Sequence, residues 1–166
     1  TQLETDQLVE LVNEYFGHIV GCVTGQGGQV LKFIGDGLLA IFPLGEGEEG
    51  DVVGNALEAA QGAVNAVEQI NAARPTGPTC PGLDIALHVG ELLYGNVGAP
   101  GRLDFTVVGP AVNAISRLEP LCQSLSTSIV MSEDFARHAG QGLNVKSLGR
   151  HSLRGLSAPM EIFAPA

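Results

Sequence analysis

Asn113 and Arg117 are the residues of this chain whose types and spacing most plainly suggest chemistry. They lie four positions apart in Asp104-Phe105-Thr106-Val107-Val108-Gly109-Pro110-Ala111-Val112-Asn113-Ala114-Ile115-Ser116-Arg117-Leu118-Glu119. Proline favours the first helical position, so a helix beginning at Pro110 points the amide and the guanidinium the same way. Ala111, Ile115, Leu118 and Cys122 make the apolar face that packs on a sheet. The polar pair therefore stands beside the buried stripe, aimed at something anionic or hydrogen-bonding. The same spacing also suits an ordinary solvated helix face, so the pair alone leaves both readings open.

A second segment, Gln29-Val30-Leu31-Lys32-Phe33-Ile34-Gly35-Asp36-Gly37-Leu38-Leu39-Ala40-Ile41-Phe42-Pro43, places a lysine and an aspartate on one hairpin. Asp-Gly favours a tight turn, which by itself would account for Asp36. A lysine in an apolar strand can snorkel outward, which would account for Lys32. Together, however, the two segments resemble the class III nucleotidyl cyclases, the adenylyl and guanylyl cyclase catalytic domains. The resemblance covers nearly the whole chain.

That resemblance implies a role for each residue. Asp36 would be one of two carboxylates holding a pair of Mg2+ or Mn2+ ions, for which hard oxygen ligands are suited. Lys32 would contact the adenine ring of ATP, with Thr106 as its companion where an aspartate is usual. That pairing resembles the threonine-substituted adenylyl cyclases; Asp104, on the same strand face as Thr106, is a rival. Asn113 would orient the ribose and Arg117 would neutralise charge on the transferring phosphoryl group. Arg154 falls where a basic residue holds the terminal phosphates, with Arg150 and His151 close enough to compete for the role. The implied protein is a head-to-tail homodimer with sites at the interface, converting ATP to 3′,5′-cyclic AMP and pyrophosphate. A catalytically silent domain of the same family, which dimerises and binds nucleotide or a regulatory ligand, is the alternative.

Composition bounds these readings. A length of 166 residues and 45% hydrophobic content suit one globular domain, residues 1–166, with a real core. The net charge of −10 argues against nucleic acid or an anionic membrane as the main partner. It leaves room for a small polyphosphate, because Lys32, Arg102, Arg117, Arg150 and Arg154 are among only eight basic residues and all fall in or near the candidate segments. No apolar run approaches a membrane span. Cys22, Cys80 and Cys122 show no metal-ligand spacing and read as free thiols of a cytoplasmic protein. The four histidines form no metal cluster or nucleophilic triad.

The elements that must position these residues can be read from periodicity. Thr5-Asp6-Gln7 predicts a cap, followed by a helix of about four turns ending near Gly21. Val30–Ile34 and Leu38–Phe42 predict a hairpin, and its almost continuously apolar arms predict a central, covered position. Val53, Leu57, Ala60, Val64, Val67 and Ile70 trace a second helix, from Asp51 to before Pro75. Strands are expected at Leu83–Val89, Gly90–Val97, Phe105–Val108, Ile129–Met131, Val145–Leu148, Ser152–Leu153 and Met160–Phe163. Ser132 should cap a short helix through about His138.

The order suits an α+β sandwich with helices on one face of a mainly antiparallel sheet. The resemblance sharpens this to a ferredoxin-like βαββαβ core with an added strand and helix. It also implies that a strand bearing the first metal aspartate precedes Thr1.

Overall fold

The computed structural model describes residues 2–166, with side chains described from residue 4 onward. Two long helices, α1 (Gln2–Gly25) and α2 (Glu49–Ala72), pack against one another. Leu11, Tyr15 and Ile19 of α1 meet Ala63, Val67 and Ile70 of α2 in one buried cluster. Alanines on α2 allow this close approach while keeping helix propensity high. Thr5 and Asp6 lie inside α1 rather than at its cap, and the helix runs on to Gly25. Gly21 does not stop it, because a single glycine costs a helix only about 1 kcal/mol and the apolar stripe continues through Val23.

Between the helices, β1 (Gln29–Ile34) and β2 (Gly37–Ile41) form the expected antiparallel hairpin, turning through Gly35 at φ 57° and Asp36. The hairpin is a two-stranded sheet of its own. Its arms are not covered as the apolar run predicted: Phe33 and Ile34 are 54% and 56% exposed. Continuous apolarity marks a surface that wants a neighbour without saying that the neighbour lies among these residues.

The main sheet has the order β3-β6-β8-β7, from β3 (Ile85–Leu87), β6 (Ile129–Ser132), β7 (Val145–His151) and β8 (Met160–Pro165). β3 and β6 are parallel, and the other two pairings are antiparallel. Ser152–Leu153 falls in the loop between β7 and β8 rather than in a strand. Every residue of β6 is buried. Its alternating side chains explain why: Ile129 and Met131 join α2 and α5 (Glu133–Ala139), while Val130 joins Leu118, Cys122 and Ile162. Helices thus cover both faces of this sheet, where one was expected. The α+β class is as the sequence predicted.

Residues 110–124, read as one helix face, divide into α3 (Pro110–Leu118) and α4 (Leu121–Ser124). Pro120 lacks an N–H and clashes with the preceding turn, so the helix breaks there. Ala111, Ala114, Leu118 and Cys122 are buried, so Ala114 takes the place predicted for Ile115. The Cys122 thiol donates to the Ile85 carbonyl at 3.4 Å, and burial pushes its pKa up to about 11. It is an inert packing group. Finally, β4 (Leu93–Ala99) and β5 (Arg102–Val108) form a separate antiparallel hairpin leading into α3.

Candidate functional site

The hairpin β1–β2 carries Lys32 and Asp36, both exposed. Lys32 pairs with Leu39 beside a bulge, and Asp36 stands at the turn. Asp36 also rims an apolar groove of about 330 Å³, lined by Leu8, Leu11, Val12, Tyr15, Phe16, Thr79, Cys80 and Pro81. Burial raises the Tyr15 pKa, with the negative charges of Asp36, Cys80 and Asp84 adding to it, so its phenol stays protonated. Nothing local in the sequence announces that Asp36 lies near Tyr15. Asn71 fixes the far wall of the groove with two hydrogen bonds: its amide donates to the Cys80 carbonyl at 3.0 Å, and its oxygen accepts from the Cys80 N–H at 2.7 Å.

The second group of residues sits on α3 and the loop after β7. Asn113 and Arg117 share one side of α3, as their spacing predicted, with Asn113 exposed and Arg117 half-buried. The Arg117 guanidinium lies on the backbone of Gly155, the residue after Arg154. The fold thereby brings the Arg117 head to the loop that carries Arg154. The rivals of Arg154 are engaged locally: Arg150 donates to the Pro159 carbonyl at 2.6 Å, and a His151 ring nitrogen meets the Leu148 carbonyl at 2.9 Å. Thr106, opposite Gly95 on β5, is half-buried, while Asp104, opposite Val97, is exposed and lies two residues farther from α3.

The helix α3 is held from its N-terminus. The Ala111 N–H donates to the Glu91 carbonyl at 3.2 Å, linking α3 to the segment after β3. Gly109 adopts φ 142° and presses on that segment. Just upstream, His88 Nδ1 meets the Ser132 hydroxyl at 2.8 Å. That hydroxyl also caps α5, accepting from the Phe135 N–H at 3.1 Å. A hydroxyl has one donor and two acceptor sites, so Ser132 can cap α5 and still pair with His88 Nδ1 in either ring tautomer.

Burial lowers the His88 pKa, opposed by the charge of Asp134, so the folded state disfavours the imidazolium. The unfolded chain, with the ordinary value near 6.5, binds the proton more readily. Stability from this group is therefore complete above pH 6.5 and declines as the pH falls through that value. Urea melts at pH 7.5 and 5.5 should show a lower midpoint at the acid pH, and His88→Gln should flatten the difference. An equal acid loss in the variant would assign the effect to other groups.

A carboxylate such as Asp36 has the donor chemistry that Mg2+ or Mn2+ prefers. Among the described residues, however, no three His, Cys, Asp or Glu side chains group together to hold a metal ion. Nor is any helix among them long and apolar enough to cross a membrane.

No family model matches the chain. It is 30% identical over 141 residues to an adenylate cyclase of Anabaena cylindrica, covering 82% of this chain and 27% of that protein. A bacterial light-regulated adenylyl cyclase superposes with a TM-score of 0.79 at 26% identity, over 96% of this chain and 45% of that one. A guanylyl cyclase superposes with a TM-score of 0.71 at 24% identity, over 96% of this chain and 80% of that one, and so shares the fold. The chain spans between 7% and 27% of the length of three curated adenylate cyclases that it matches. By its similarity to proteins named adenylate cyclase, and by a fold shared with adenylyl and guanylyl cyclases, the chain belongs to the class III nucleotidyl cyclase catalytic domains.

Proposed function

We propose that residues 1–166 act as an adenylyl cyclase catalytic domain, converting ATP to 3′,5′-cyclic AMP and pyrophosphate in a homodimer with sites at the subunit interface. The observation that carries this reading is the convergence of Arg117 on the loop of Arg154, with Asn113 on the same side of α3. Two guanidinium groups supplied from separate elements suit a triphosphate better than a single carboxylate.

In the proposed reaction the ribose 3′-oxygen loses its proton to water and attacks the α-phosphorus. The bond from that phosphorus to the bridging oxygen breaks, and pyrophosphate leaves. Arg117 stabilises the charge that grows on the transferring group, Arg154 holds the departing phosphates, and Asn113 orients the sugar. Lys32 and Thr106 select adenine by hydrogen bonds to its edge. Asp36 contributes one ligand to a pair of Mg2+ or Mn2+ ions, which when bound neutralise the triphosphate and favour loss of the 3′-proton.

The homodimer is supported by exposed apolar surface on the two hairpins. Leu93 and Leu103 are 75% and 67% exposed on β4–β5, with Phe33 and Ile34 on β1. Such patches on a folded chain mark interaction surfaces. The separation of Lys32 and Asp36 from the α3 group also suits a site completed by a second subunit. The second reading is a silent domain that binds nucleotide or another ligand without turnover.

Incubating the full-length protein with ATP or GTP and Mn2+, and identifying the product by mass, decides among these. Cyclic AMP is expected. Cyclic GMP would reassign the base, and nucleotide binding without product would favour the silent domain. The assignment of Lys32 is sharper still: Lys32→Glu replaces a donor at the purine edge with an acceptor. It should shift the ATP-to-GTP ratio of kcat/KM toward GTP by about 1 to 3 kcal/mol. An unchanged ratio would make Lys32 a surface lysine.

A further inference from the structure

The contact beneath Arg117 joins two segments that the sequence keeps far apart. Gly155 has φ 82°, a conformation that L side chains rarely adopt. A Cβ placed there would stand 2.9 Å from Nη2, 3.0 Å from Nη1 and 3.1 Å from Cζ of Arg117. All three distances lie well inside ordinary carbon contact, and they involve most of the guanidinium plane at once. The plane therefore rests on a bare stretch of backbone that only glycine leaves open.

This support is local and specific. Gly149, in the same half of the chain, has a similar φ of 89°, yet a Cβ there would find its nearest neighbour, His151 Nε2, only at 4.0 Å. Strain from a side chain at a positive φ is thus common to both positions, whereas displacement of an arginine belongs to Gly155 alone. Arg117 is long, and several rotamers are open to a half-buried side chain; a flat backbone platform removes those in which the head swings toward the loop.

We infer that Gly155 is a positioning residue for Arg117, setting where its guanidinium meets the transferring phosphoryl group. The role at the phosphoryl group rests on the cyclase reading above; the steric contact itself does not. A guanidinium displaced by about an ångström still carries its charge but misses the developing oxyanion. The expected kinetic signature is a loss in kcat with little change in KM.

The test compares Gly155→Ala, Arg117→Ala, the double variant and Gly149→Ala in the full-length protein, by nucleotide turnover and by thermal melting. Gly155→Ala should lower kcat roughly tenfold or more at nearly constant KM. In the Arg117→Ala background it should cost nothing further, because the group through which it acts is gone. Gly149→Ala should retain wild-type kcat and lose less thermal stability than Gly155→Ala, since only the backbone strain is common to the two positions.

Melting keeps the contact testable even where Gly155→Ala is too unstable to assay. The drop in Tm caused by Gly155→Ala should be smaller when Arg117 is already alanine. Equal drops in Tm in the two backgrounds would overturn the steric contact, and additive losses of kcat would overturn the positioning role. Full activity in Arg117→Ala would instead defeat the catalytic reading of Arg117, leaving the Tm comparison to judge the contact.

Discussion

Mixed dimers of Asp36→Ala and Arg117→Ala subunits should regain about a quarter of wild-type turnover, although neither homodimer is active. Under the proposed reading, Asp36→Ala removes a metal ligand and abolishes activity. Arg117→Ala removes charge stabilisation and costs roughly 10²-fold or more. If the two residues of one site come from different subunits, a mixed dimer has one doubly damaged site and one intact site. Random exchange at equal amounts makes half of the dimers mixed, and each keeps one site of two, hence about a quarter. The structure supplies the motive for this experiment: Asp36 is on a hairpin that packs mainly on α1, whereas Arg117 is on α3, which packs on α4, β3 and β6. Activity that stays at the homodimer level after verified exchange would place both residues in a site built from one chain.

Gly109→Ala should cost roughly 2 to 5 kcal/mol of stability, from backbone strain and overpacking together. Gly109 has φ 142°, and a Cβ there would lie 2.9 Å from both the Glu91 carbonyl oxygen and Leu92 Cα. Both atoms belong to the backbone, so neither can swing aside as a flexible side chain would. The Glu91 carbonyl is also the acceptor for the Ala111 N–H, so pushing it away loosens the first turn of α3. Urea denaturation should show a lower midpoint, with the comparison set by Gly101→Ala. Gly101 shares a positive φ, 85°, but a Cβ there meets nothing within 4 Å. Equal losses at the two positions would reduce the Gly109 effect to backbone strain alone.

Local signals in the sequence were reliable where one residue type does one job. Ser132 has no better use at the end of a buried strand than to cap α5, and its hydroxyl does so. Gly35-Asp36-Gly37 turns the chain, and the alanine-rich stripe of α2 packs as its period demanded. The i, i+4 relation of Asn113 and Arg117 followed from the helix alone. Features that depend on distant neighbours were not legible. Phe33 and Ile34 read as core because apolarity reports preference rather than placement. The two-sided burial of β6 depends on α3 and α4 lying behind the sheet, which the order of elements did not reveal. No signal in the sequence singles out Gly155, since only the folded chain puts Arg117 over it.

The bulge in β7 has a consequence for the behaviour of concentrated protein. β7 is an outer strand of the main sheet, and its register with β8 shifts between Ser147 and Arg150, with Gly149 at φ 89° and the charged Lys146 and Arg150 close by. A kinked, charged rim offers a poor template to a stray strand, so growth by sheet extension is blocked on that side. The β4–β5 hairpin has no such kink: charged only at Arg102 and Asp104, it pairs in unbroken register over seven residues and exposes Leu93, Val97 and Leu103. A chain without its partner subunit would therefore present an unkinked apolar hairpin to other chains at β4–β5, and a charge introduced there should improve solubility more than one added to the rim of the main sheet.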